Sequence, residues 1–155
     1  MTPAATVTVI GVGNDWRRDD GVGLFVARQV RLKALPQVRI VEGVPDGMAL
    51  INAWGDSPQV FIVDCASSGK TPGTIFCFDA VSKKIPAEVV GGRSTHVFSV
   101  GDGIETARTL GRLPAFLQVY GIEGSDFSQG EGLSPAVESA AREVVTRIIL
   151  QIVTE

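Results

Sequence analysis

Three residues have the types needed to grip a divalent metal: Asp20, Asp64 and His96. Two carboxylates and one imidazole make a mixed oxygen–nitrogen set. Such a set suits borderline ions such as nickel, zinc, iron or manganese, with other positions left open. It is too poor in histidine for a closed structural zinc site. Asp64 directly follows Phe61-Ile62-Val63, so its backbone is expected to leave a buried strand. A carboxylate there is costly unless it is paired, hydrogen-bonded or bound to a cation; the competing explanation is a turn cap. His96 is the one histidine in the chain, at the end of Gly91-Gly92-Arg93-Ser94-Thr95-His96. A lone histidine is more often a satisfied polar residue than a ligand, so His96 gains weight only beside the two acids. Asp20 lies just before Gly21-Val22-Gly23, small residues that allow close approach of backbone or partner. Its neighbour Asp19 is explained equally well by attraction to a helix N-terminus.

Other candidates carry less. Cys65 is a possible soft donor, but its small apolar neighbours point to a buried core thiol, and Cys77 in an alternating strand is also read as core. No GxSxG nucleophile elbow is present, and only proximity to Asp64 recommends Ser67-Ser68-Gly69. Gly11-Val12-Gly13-Asn14 invites a dinucleotide reading, with Glu42 placed as a ribose-binding acid would be. Against it, Trp16 stands where the third glycine should be. Asp15, Asp19 and Asp20 also crowd the helix start that a pyrophosphate would need. A nucleotide-binding or ligand-sensing module using residues 11–14 is kept as the alternative.

These residues must be positioned by alternating strands and helices. Residues 7–12 are an apolar run that predicts a buried strand. From Gly21 onward, Val22, Phe25, Val26 and Val30 share one helical face, in a segment ending near Pro36. Strands are predicted at residues 38–41, 59–63, 74–78 (an edge strand) and 116–122, with a short helix at 48–54. Residues 81–94 read as a loop. Ser94 or Thr95 would cap a helix to about Leu110, weakened by Gly101 and Gly103. After a polar loop at 124–132, Ser134-Pro135 supplies a cap and a first-turn proline. Val137, Ala141, Val144, Ile148 and Ile152 keep helical spacing beyond it. The pattern predicts a three-layer α/β/α fold, its mostly parallel central sheet of about five strands flanked by helices. Functional groups then belong beyond the carboxyl ends of the strands, in loops 13–20, 42–47 and 64–69, with 91–96 leading into a helix.

A chain of 155 residues suits one domain, residues 1–155. Hydrophobic residues make up 45% and charged residues 20%, an ordinary globular balance. With net charge -3, pI about 5.2 and scattered basic residues, nucleic acid is not an expected partner. The two cysteines form neither a metal-spaced pair nor a disulfide framework, which suits a reduced compartment. No signal-peptide pattern and no apolar run of roughly 20 residues is seen, so a cytoplasmic, non-membrane protein is expected. A monomer is expected because no extra apolar helix stripe stands out.

The run Val9-Ile10-Gly11-Val12-Gly13-Asn14, then Asp19-Asp20-Gly21-Val22-Gly23, resembles the N-terminal signature of the [NiFe]-hydrogenase maturation endopeptidases. Phe61-Ile62-Val63-Asp64 and Ser94-Thr95-His96 fall where that family has its second acid and its histidine. Val119-Tyr120-Gly121-Ile122-Glu123 and Gly132-Leu133-Ser134-Pro135 resemble its tail. The resemblance implies an α/β fold and a protease that removes a C-terminal extension from the hydrogenase large-subunit precursor after nickel insertion. It implies that Asp20, Asp64 and His96 recognise the nickel, which the substrate supplies, so no permanent cofactor is expected. One departure stands out. The family has an Asp-Gly-Gly-Thr-like loop where this chain has Glu42-Gly43-Val44-Pro45-Asp46-Gly47. Glu42, Gly43, Asp46 and Gly47 are therefore expected to meet the substrate, with Glu42 or Asp46 standing in for the missing acid.

Overall fold

The apolar runs become β1 (Val7–Gly11), β2 (Val38–Glu42), β3 (Gln59–Ala66), β4 (Ile75–Asp79) and β5 (Phe116–Glu123) in a computed structural model that describes residues 5–86 and 99–154. Across the sheet the order is β2-β1-β3-β5-β4. The first four strands run parallel, and β4 pairs antiparallel with β5 at the edge. The helices are α1 (Val22–Leu32), α2 (Gly47–Trp54), α3 (Val100–Thr109) and α4 (Pro135–Val153), and a 3-10 turn at Arg18–Gly21 leads into α1. Helices α1 and α4 pack together on one face, over Phe61, Val63 and Tyr120. Helices α2 and α3 pack together on the other, over Ile10, Ile62 and Val119. The three-layer expectation holds. Among the described residues, no helix is long and apolar enough to cross a membrane.

The chain leaves β1 toward β2 on one side and later places β3 on the other side of β1. The connections therefore diverge at the carboxyl ends of β1 and β3, which opens a crevice there. Glycine brings α1 to that crevice. A Cβ on Gly23 would lie 2.2 Å from the Val63 carbonyl oxygen and 2.4 Å from that of Val12. A Cβ on Gly11 would meet the Gly23 carbonyl oxygen at 2.3 Å. Glycine at both positions lets the first turn of α1 rest directly on the strand ends.

Several expectations are corrected. Strand β3 does not end at Val63: Asp64 pairs with Gly121, Cys65 with Ile122 and Ala66 with Glu123, because β5 is long enough to partner them. Helix α1 stops at Leu32, well before Pro36. The cap of α3 is Ser99, whose side chain accepts from the Asp102 N–H, rather than Ser94 or Thr95, which lie outside the described residues together with the rest of loop 91–96. Cys77 is exposed, not core. It sits on the edge strand β4, where Phe76 and Phe78 take the covered face and stack with ring centroids 6.4 Å apart. Ser134 precedes α4 with Pro135 in the first turn, but its side chain makes no cap bond to the helix.

Candidate active site

Strand β3 carries Asp64 to the crevice and buries it at 8% exposure, where the Cys65 N–H donates to its Oδ1 at 2.7 Å. Burial pushes its carboxyl up to about 7; the Cys65 N–H pulls the other way, and the negative charge of Asp20 adds to the rise. Asp20 reaches this place through the 3-10 turn. Its carbonyl oxygen accepts from the Asn14 N–H at 3.2 Å, and its own N–H donates to the Arg17 carbonyl at 3.1 Å. The Asp20 carbonyl fills the space beside Gly13, where a Cβ would come within 2.0 Å of it. The Gly-x-Gly-Asn turn is thus folded around Asp20. The Asn14 amide, which a phosphate would need in the nucleotide reading, is spent on that contact.

The structure places Asp20 within electrostatic reach of Asp64. His96 lies outside the described residues. Among the described residues, no three His, Cys, Asp or Glu side chains are arranged to hold a metal ion. Cys65 is buried as expected. Burial and the surrounding Asp64, Asp20, Asp19 and Glu123 push its thiol far up, so it stays protonated and unreactive at neutral pH.

The predicted substrate loop at 42–47 starts at the carboxyl end of β2, with its residues partly engaged. Glu42 is ion-paired with Arg31 and with Arg28, the latter at 2.5 Å, and these bonds hold its carboxyl below the usual range. Arg28 is also paired with Asp15 at 2.7 Å. Asp46 caps α2, accepting from the Ala49 N–H at 2.8 Å. Gly43 has a positive φ of 77° with no atom near its missing Cβ, and Gly47 begins α2 against Gly103 of α3.

Two acids gain roles not read from the sequence. Asp19, completely buried, serves not α1 but the approach to α4. Its carboxylate accepts from the Ser134 N–H and Oγ–H, both at 2.7 Å, and from the Ser125 and Asp126 N–H groups, both at 2.9 Å. Burial works against its ionisation, yet those donors hold its pKa below the ordinary value. No local pattern could have signalled partners more than a hundred residues away. Glu123, buried at the end of β5, accepts from the Ser68 N–H at 3.0 Å and from its hydroxyl at 2.5 Å, pinning the turn after β3. Here a signal existed, since Glu123 follows an apolar run of the sequence just as Asp64 does.

An α/β fold with two acids at the switch point of a parallel sheet defines a class of protein with its site at the carboxyl edge. A model of the hydrogenase maturation protease family, of the HycI type, matches residues 26–151. Asp64 and His96 fall inside that match and Asp20 precedes it. The chain is 28% identical over 136 residues to the hydrogenase expression/formation protein HupD of Bradyrhizobium diazoefficiens, covering 84% of this chain and 69% of the relative. It is 25% identical over 146 residues to HoxM of Cupriavidus necator, covering 91% and 71%. The [NiFe] hydrogenase maturation protease HybD from Thermococcus kodakarensis superposes with a TM-score of 0.70 at 26% identity, over 94% of this chain and 97% of that one. The hydrogenase maturating endopeptidase HybD from E. coli gives 0.73 at 21% identity, over 94% and 91%, a likeness of fold. The chain belongs to the hydrogenase maturation protease family.

Proposed function

We propose that this protein is an endopeptidase that removes the C-terminal extension of a [NiFe]-hydrogenase large-subunit precursor after nickel insertion. Asp20, Asp64 and His96 recognise the nickel, which the precursor carries. The carrying observation is the electrostatic reach of Asp20 to the buried Asp64 at the crevice, where Asp64 is pushed up to about 7. The negative charge of Asp20 acts on Asp64, and a divalent ion between them would relieve both that repulsion and the burial cost of charge. Family membership supports the protease activity.

In this scheme nickel, held by thiolates of the precursor, is met on the protease side by the two acids and the imidazole, and the scissile bond is fixed in register. A precursor without nickel lacks the bridge and binds poorly. Residues 42–47 face the substrate from the neighbouring strand end. Glu42 and Asp46 anchor that loop to α1 and α2 through their bonds to Arg28, Arg31 and the Ala49 N–H, while Gly43 and Gly47 offer backbone.

The test is cleavage of nickel-loaded precursor by Asp20→Ala, Asp64→Ala and His96→Ala enzymes. Each is expected to lose at least about a hundredfold in rate, the scale of loss for a displaced substrate. Near-normal cleavage by folded Asp64→Ala would contradict the scheme.

A further inference from the structure

The turn carrying Asp20 is bolted to a second loop. Besides the four short bonds to the Asp19 carboxylate, the Asp19 N–H donates to the Asp126 carbonyl at 3.0 Å and the Arg18 N–H to that of Gly130 at 2.9 Å. The Gly130 N–H returns a bond to the Trp16 carbonyl at 2.8 Å. The Arg18 guanidinium adds contacts to the Ser128 hydroxyl at 3.2 Å and the Glu131 carbonyl at 3.1 Å. It lies over Gly130, where a Cβ would meet Nη2 at 2.9 Å. Residues 16–19 are therefore tied to residues 125–134 by backbone and side-chain bonds, and Asp20 is the next residue along.

We infer that Asp19 is a positioning residue. Its buried carboxylate locks the 3-10 turn onto residues 125–134 and thereby sets where Asp20 meets the metal of the substrate. The inference rests on the nickel-recognising role proposed above for Asp20. A carboxylate suits this task because it accepts from backbone N–H groups of two segments at once, whereas an amide in its place turns an NH2 toward those donors.

The test measures the affinity of nickel-loaded and nickel-free precursor for wild type, Asp19→Asn, Ser134→Ala and Arg18→Ala, with folding followed by circular dichroism. The readout is the ratio of the two affinities, which a change in the folded fraction leaves untouched. Wild type is expected to prefer the nickel-loaded form. Folded Asp19→Asn is expected to bind nickel-free precursor normally and to lose about tenfold or more of that preference, the scale of loss for a displaced contact. Ser134→Ala, which removes a single hydroxyl donor and keeps the charge, is expected to lose about threefold. An unchanged preference in folded Asp19→Asn overturns the inference. If that variant does not fold, an unchanged preference in both Ser134→Ala and Arg18→Ala does so. Equal affinity of wild type for the two forms overturns nickel recognition itself and the inference with it.

Discussion

Asp64 titrates near neutrality because it is buried beside another acid, and this has a measurable cost in the metal-free chain. Its folded value of about 7 lies above the ordinary 3.8, so folding takes up a proton between those limits. Stability from this group is full below 3.8 and is lost as pH rises through 7. Asp64→Asn removes the dependence. Urea unfolding with chelator present should show the variant gaining about 2 kcal/mol on wild type between pH 5 and pH 7, and levelling above pH 8. A constant gap would contradict the placement of Asp64. Asp19 behaves in the opposite sense. Its folded value is lowered, so its contribution is present above the ordinary carboxylate range and lost as pH falls through the folded value. Asp19→Asn should therefore cost about 2 kcal/mol or more at pH 7, by leaving buried N–H donors badly matched. The cost should shrink in strong acid.

Glycine decides how the elements meet. Replacing a helical glycine by alanine ordinarily stabilises by about 1 kcal/mol. Gly101 in α3 has only the Ser99 hydroxyl at 3.7 Å from its missing Cβ, and Gly101→Ala should show that gain in thermal unfolding. Gly23→Ala should do the reverse, costing about 2 kcal/mol or more, because its Cβ would press into the carbonyls of Val63 in β3 and of Val12 just after β1. It would also lift α1, and the turn bearing Asp20, off the crevice. Apolar runs and helical spacing made β1, β2, β5, α2 and α4 legible in the sequence, because burial on one or two faces leaves a local pattern. The end of β3 was not: Asp64 reads as a strand terminator, and only the length of β5 keeps it paired. The exposure of Cys77 was hidden likewise, since alternation alone does not tell which side of an edge strand is covered.

At the scale of the molecule, strand order turns scattered residues into a site. With β1 and β3 adjacent and their connections diverging, the loop after β1 meets the end of β3, and Asp20 and Asp64 come within electrostatic reach across a gap of more than forty residues in the sequence. The α/β pattern was enough to place both acids at the carboxyl edge of the sheet. The clamp from Asp19 to Ser125 and Ser134 was not legible, because it joins loops that no periodicity connects. The most direct test of the account is intact-mass spectrometry of the hydrogenase large-subunit precursor, nickel-loaded or nickel-free, after incubation with this protein. The account predicts loss of a C-terminal peptide from the nickel-loaded form alone. Equal cleavage of both forms would contradict nickel recognition, and no cleavage of a competent nickel-loaded precursor would contradict the proposed protease function.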